Sequence, residues 1–453
     1  MPEPNVTSRS AEPAVPRRIL TALLSSLSAG VVPRSGAPYI AIGRNQEISA
    51  LLSDLETVGD GGAAIRFLIG RYGSGKSFLI QLIRGYAVER DFICADADLS
   101  PERRLYGSGG AGLATYRELI KNLSSKASPD GGAMPKIIAR RLSMLQSDIA
   151  EEGMSPDSPD FERELERRLH RTVRELESGV GGFDFAGVLS AYFKSSLSGD
   201  DAKKSACLRW LRGEFANKTE AKGALGFSVG GVIDDDNWYD YIKLWALFAR
   251  SAGYRGFVVF VDECVNLYKI SNRISRENNY EKLLSMFNDA LGGRADGLML
   301  VFGGTPQFLE DTRRGLFGYE ALRSRLCDTQ FSRSEYIDMS GPIIRLRRLS
   351  DDELLALISR LTKLHGQLYQ MDGRISDDDM AEFLRMSLSR AGANELVTPR
   401  EIIRDYLSVL NILAQNESVS FVDIVAGGAA EIKESAESYK GPKKELSLED
   451  IDF

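Results

Sequence analysis

The stretch at residues 67–83, FLIGRYGSGKSFLIQLI, constrains this chain more than any other. Gly70, Gly75, Lys76 and Ser77 fit the spacing G-x-x-x-x-G-K-[ST], with the apolar run AIRFLI before them and the helical pattern SFLIQLIRGYA after them. A buried strand running into a helix is the setting that a phosphate-binding loop requires. Glycines let the backbone curl so that successive N–H groups point inward, and the N-terminus of the following helix adds its partial positive charge. Lys76 is then suited to β- and γ-phosphates and the Ser77 hydroxyl to Mg²⁺. The sequence therefore predicts an ATP and Mg²⁺ site in which Gly70, Tyr72, Gly73, Ser74, Gly75, Lys76, Ser77 and Phe78 line the nucleotide.

Composition limits the alternatives. With 453 residues, 43% hydrophobic and 27% charged, the chain can bury a large core in more than one structural unit. Its 57 basic and 64 acidic residues give a net charge of −7, which lacks the global basic signature of a nucleic-acid coat. Local segments such as KIIARRL and RLRRL keep DNA contact open, the second as a strand with an exposed basic face. Cys94, Cys207, Cys264 and Cys327 are scattered without a C-x-x-C, which argues for a reducing interior rather than metal or disulfide roles. Only His170 and His365 are present, too few for a histidine triad or zinc site. Near the N-terminus RRILTALLSSLSAGVV has the outline of a signal peptide. However, Leu20, Leu23, Leu24 and Leu27 fall at helical spacing, which describes an amphipathic helix. No stretch reaches transmembrane length, so a cytoplasmic protein is expected.

Five apolar runs, AIRFLIG, DFICADAD, GFVVFVDE, GLMLVFGGT and PIIRLRRL, read as strands of one parallel sheet with helices between them. More than a hundred residues separate the second run from the third, so an insertion of joined helices is expected at about 100–250. Within it FERELERRLHRTVREL puts Phe161, Leu165, Leu169, Val173 and Leu176 on one stripe. After residue 349 the pattern turns helical, with a Ser-x-x-Glu capping box and Pro399 in the first turn of a later helix. The expected organisation is an N-terminal arm (1–35), an α/β core (36–348), a helical lid (349–415) and a charged, flexible tail (416–453).

GFVVFVDEC delivers Asp262 and Glu263 at the carboxyl end of a strand, the edge where ligands bind in open α/β sheets. Asp262 is expected to hold Mg²⁺ directly or through water, and Glu263 to polarise the water that attacks the γ-phosphate. Thr305 leaves the next strand in VFGGTPQF, where a polar side chain can bridge the γ-phosphate and that water.

Taken in order, VVPRSGAPYIAIGRNQEI, FLIGRYGSGKSFL, DADLSPERRLYG, VDEC, GGTPQF, ALRSRL and TPRE resemble the ATP-binding proteins of BREX bacteriophage-defence systems, of the BrxD kind. That branch is close to the initiator-type AAA+ ATPases, and the resemblance spans residues 33–410. It implies an AAA+ P-loop NTPase, an α/β parallel sheet flanked by helices with a long helical insertion and a C-terminal helical lid. It further implies Thr305 as sensor 1 and Arg400 of TPRE as sensor 2. Arg325 of ALRSRL would be a finger reaching a neighbouring subunit's γ-phosphate, with Arg323 as the competing candidate. Ile40, Ile42 and Gly43, on a strand-like piece, would lie against the adenine. The implied partners are helicase or methyltransferase components, DNA and further copies of the chain. Two readings follow: an oligomeric, DNA-associated ATPase that hydrolyses ATP to drive conformational change, or a monomeric ATP-dependent switch or scaffold that gates assembly of a protein partner. A small-molecule kinase is disfavoured, because it needs neither a lid arginine nor a sensor strand.

Overall fold

The computed structural model describes residues 15–107, 109–177, 179–327, 338–371, 373–389, 398–416 and 418–427. Helix α1 (Arg17–Ser28) and a 3-10 turn (Ala37–Ile40) lead into α2 (Asn45–Gly59), β1 (Ala64–Ile69), α3 (Lys76–Glu89) and β2 (Ile93–Asp98). The helices α4 (Ala111–Lys121), α5 (Met134–Glu151), α6 (Pro159–Leu176), α7 (Gly182–Ser198), α8 (Asp201–Leu211), α9 (Lys218–Leu225) and α10 (Trp238–Ser251) come before β3 (Phe257–Asp262). Next are α11 (Val265–Tyr268), α12 (Arg273–Leu291), β4 (Leu298–Gly304), α13 (Pro306–Glu310), α14 (Glu320–Leu326) and β5 (Ile343–Arg345). Helices α15 (Asp351–Tyr369), α16 (Asp377–Ser389) and α17 (Pro399–Gln415) follow.

The chain divides into two compact units, Arg44–Arg347 and a second made of Met1–Gly43 with Arg348–Phe453. In the first, all five strands pair in parallel in the order β2-β3-β4-β1-β5, and they are the five runs read from the sequence. Every residue of β1, β3 and β4 is buried, as expected of parallel strands covered by helices on both faces. The charge within β1, Arg66, is tolerated because its guanidinium makes a two-pronged pair with Asp54 at 2.6 and 2.8 Å and donates to the Met339 carbonyl at 2.9 Å.

The insertion between β2 and β3 shares the core of the sheet, with Tyr116, Trp210, Trp238 and Trp245 in the same apolar cluster as Ile93 and Phe257. Their polar atoms are satisfied inside it: Trp245 Nε1 donates to the Tyr116 hydroxyl (3.2 Å), which donates to the Leu211 carbonyl (2.7 Å). On α6, Phe161, Leu165, Leu169 and Leu176 are buried as the stripe predicts, while the side chain of Val173 lies outside the described residues. The segment leaving β2 is tied down by Asn279, fully buried on α12. Its Oδ1 accepts from the Leu105 and Tyr106 amides, both at 2.9 Å, and its Nδ2 donates to the Tyr106 carbonyl at 3.0 Å and the Ser275 carbonyl at 2.8 Å.

In the second unit α1 buries Leu20, Leu23, Leu24 and Leu27 against α15 and α17. Helices α15 and α17 begin with capping boxes, Ser350 with Glu353 and Thr398 with Glu401. The strand-like piece expected before α2 forms no strand: Tyr39 and Ile40 close a 3-10 turn and residues 41–43 are irregular. Gly36 enters the turn in the left-handed region at φ 80°, and Pro38 fixes a helical φ in its first positions. Residues 421–427, assigned to the tail, are helical and bury Phe421 and Val425; the rest of the tail lies outside the described residues.

Replacing Asn279 by Leu keeps the branching at Cγ but leaves the Leu105 and Tyr106 amides and the Tyr106 carbonyl without their side-chain partner. The expected loss is about 3 kcal/mol of unfolding free energy, measured by urea denaturation followed through the fluorescence of the buried tryptophans.

Candidate nucleotide site

The candidate site is built from the bottom of β1 upward. The Gly70 amide donates to the Gly304 carbonyl at 3.1 Å, which carries the β1–β4 pairing one residue beyond the strand. Here a side chain is excluded, because a Cβ on Gly70 would stand 2.3 Å from Ser74 Oγ. The loop then turns through Gly73 (φ 75°) and Gly75 (φ 91°), conformations that glycine adopts without a steric penalty. Gly75 caps α3, whose first turn therefore opens on the loop with its unpaired amides. Lys76 Nζ folds back over the loop to the carbonyls of Gly70 (2.9 Å) and Arg71 (3.0 Å). Ser74 Oγ is buried with no hydrogen-bond partner among the described residues. Tyr72 stands out from the loop, 75% exposed, and Phe78 is half-buried on α3.

The Ser77 hydroxyl donates to Asp262 Oδ2 at 2.7 Å, joining residues 185 positions apart. The other carboxylate oxygen of Asp262 accepts the amide of Glu263 at 2.8 Å. Glu263 takes the left-handed region at φ 58°, an unfavourable conformation for a residue with a Cβ, and its side chain is exposed at the strand edge. One strand over, Thr305 accepts the Phe308 amide at 3.3 Å as the cap of α13, which leaves its hydroxyl proton to donate. The loop, Lys76, Ser77, Asp262, Glu263 and Thr305 thus meet along the carboxyl edge of one sheet.

Two chemical groups fit these residues. The N-terminus of α3, a lysine and a buried hydroxyl without a partner among the described residues form a donor set for phosphate oxygens. Neighbouring ligands of an octahedral Mg²⁺ at about 2.1 Å stand roughly 3 Å apart, close to the 2.7 Å between Ser77 Oγ and Asp262 Oδ2.

Other expected residues are placed elsewhere. Arg325 and Arg323 are exposed on α14, and Arg325 Nη1 donates to the Ala321 carbonyl of its own helix at 2.7 Å; among the described residues neither bonds to the loop. Arg400, Ile42 and Gly43 belong to the second unit. There Arg400 is exposed in the first turn of α17 and Ile42 is half-buried. At Gly43 (φ 73°) a Cβ would stand 2.7 Å from the Glu353 carboxyl carbon.

Two residues carry no role in the motif reading. Asp98 ends β2 directly beside Asp262 in the parallel register. Desolvation raises its carboxyl above the ordinary value, and Asp262, Glu263 and Asp96 add to the rise while Arg103 opposes it. The signal for it was the acidic end of DFICADAD, legible once the strands are paired. The second is Arg44, which bonds to the Ser74 carbonyl of the loop.

Over residues 15–428 the chain matches the family described as BREX system ATP-binding protein BrxC/D. It belongs to that family. No curated protein matches the chain. Membership of the BrxC/D family agrees with the resemblance carried by the motifs, and its ATP-binding character agrees with the donor set of the loop. Among the described residues no helix is long and apolar enough to cross a membrane.

A Cβ at position 303 would stand 2.2 Å from Asp262 Oδ1. Gly303→Ala is therefore expected to displace the carboxylate from both Ser77 and the Glu263 amide, weakening MgATP binding by about tenfold while circular dichroism stays that of the parent. Titration with a fluorescent ATP analogue checks it.

Proposed function

We propose that the chain is an AAA+ ATPase that binds MgATP and hydrolyses it to ADP and phosphate in a phage-defence complex acting at DNA. The observation that carries this reading is the 2.7 Å bond between Ser77 and Asp262, which brings the phosphate loop and the acidic strand end into one site. Loop amides and Lys76 hold the phosphates. Ser77 and Asp262 would hold Mg²⁺, which when bound neutralises phosphate charge. The Glu263 carboxylate, exposed at the edge, takes a proton from the attacking water as the new P–O bond forms and the bond to ADP breaks. Thr305 orients that water. Arg400 is assigned to the phosphates as sensor 2, and Ile42 with Gly43 to the adenine. The family supports an ATP-dependent role in phage defence; helicase or methyltransferase components are the partner class proposed for it.

Lys76→Ala removes the loop's ammonium group and no core contact, so ATP binding should be lost with the fold retained. Glu263→Gln keeps shape and should bind ATP normally while turnover falls by on the order of 10²-fold or more. Equilibrium binding and steady-state phosphate release, measured with and without DNA, check both. Normal turnover in the glutamine variant would move the base elsewhere.

Arg325 decides between an oligomeric motor and a monomeric switch. It is exposed and, among the described residues, bonded to its own helix, a position from which it can serve another copy of the chain. Arg325→Ala should bind ATP normally yet hydrolyse it about 10³-fold more slowly. Mixing it with Glu263→Gln should restore part of the rate, since an intact base then meets an intact finger across an interface. A mixture no faster than the sum of its components, at concentrations where the parent self-associates, supports the monomeric switch.

A further inference from the structure

Arg44 stands where the chain enters the Arg44–Arg347 unit and is 5% exposed. Its guanidinium holds three acceptors: Nη1 donates to Glu47 Oε1 at 3.1 Å, and Nη2 donates to the carbonyls of Ser74 at 3.0 Å and Arg347 at 2.7 Å. Glu47 is equally buried. A buried ion pair seldom stabilises a fold more than apolar side chains of the same volume would. The identity of its acceptors suggests what else it does. One of them belongs to the loop between β1 and α3, at the peptide that joins Ser74 to Gly75.

That peptide is planar and trans, so its carbonyl and its N–H point in opposite directions. A cation fixed on the Ser74 carbonyl from outside therefore fixes the direction of the Gly75 N–H on the other side. It also polarises the peptide, making the N–H a stronger donor. Gly75 needs such a constraint, because it sits at φ 91° and a Cβ there would meet nothing within 4 Å, so no packing holds it. The Arg347 carbonyl anchors the guanidinium at the chain's exit from the same unit, and Glu47 orients it by a pair across one helical turn.

We propose that Arg44 is a positioning residue for the nucleotide. It aims and strengthens the Gly75 N–H as a donor to the phosphate chain, and so favours nucleoside di- and triphosphates over monophosphates. This rests on the reading of residues 70–77 as a phosphate loop. Arginine suits the task because three acceptors in different directions need a rigid fork, which the point charge of lysine does not supply.

The test uses the full chain, with ATP, ADP and AMP affinities measured by competition against a fluorescent ADP analogue. Arg44→Lys keeps the charge; Arg44→Met with Glu47→Leu removes the pair together, so that no buried charge is left alone and the fold is retained. Thermal unfolding without nucleotide monitors the fold. Both variants should lose tenfold or more in ADP and ATP affinity while AMP affinity stays within about twofold and the unfolding midpoint changes little. Equal losses for all three nucleotides would make Arg44 a scaffold residue only and overturn the inference. Unchanged ADP affinity, with Lys76→Ala unable to bind, would overturn it while leaving the phosphate loop standing. Tight ADP binding by Lys76→Ala would remove the loop reading itself.

Discussion

Strand β4 lies between β3 and β1, and the site depends on what that strand lacks at its carboxyl end. Asp262 ends β3 and the loop springs from β1, so their side chains must meet across β4. They do so at Ser77 and Asp262, 2.7 Å apart, because β4 finishes with Gly303 and Gly304. A Cβ on Gly303 would fall 2.2 Å from the carboxylate, and one on Gly304 would fall 2.5 Å from the ring of Phe308. The pair of glycines, whose spacing obscures the alignment of Thr305 in the sequence, is the gap through which the acidic strand end reaches the loop. Parallel pairing does the rest, since it delivers the ends of all the strands to one edge.

The parts legible in the sequence are those fixed by local chemistry. Apolar runs gave all five strands; Ser350 three residues before Glu353 gave the start of α15 and Pro399 that of α17; leucine spacing gave the buried face of α1. What the sequence hid is long-range. The insertion reads as helices joined by loops, yet it is part of the central core, through contacts such as Trp245 with Tyr116, 129 residues apart. The piece YIAIG has the composition of a strand, and Gly36 with Pro38 overrides it. Asp98 is an ordinary charged residue until the fold sets it beside Asp262, and Arg44 belongs to a Gly-Arg-x-x-Glu segment of initiator-like pattern that does not disclose its bond to the Ser74 carbonyl. Exposed arginines such as Arg325 and Arg400 have no local signal at all, and their roles rest on family resemblance.

Charge at the edge imposes a further condition on the proposed chemistry. Asp98, Asp262 and Glu263 stand together, and the raised Asp98 carboxyl reflects their mutual repulsion as well as desolvation. ATP would bring several more negative charges to the same place. Opposing them are Lys76 and the start of α3 on the loop side, and Arg103 beside Asp98. In the proposed chemistry a divalent metal bound together with the nucleotide would occupy the space between the phosphates and the carboxylates. Each would then raise the affinity of the site for the other, and by linkage the two effects are equal. The left-handed backbone of Glu263 fits the same arrangement. Its amide is committed to the Asp262 oxygen that does not face Ser77, so the carboxylate that would hold the metal and the carboxylate that would activate water are set by one hydrogen bond. A hydrolytic site of this kind has its metal end and its water end coupled through the backbone of two adjacent residues, and the strain at Glu263 is the local cost of keeping them side by side.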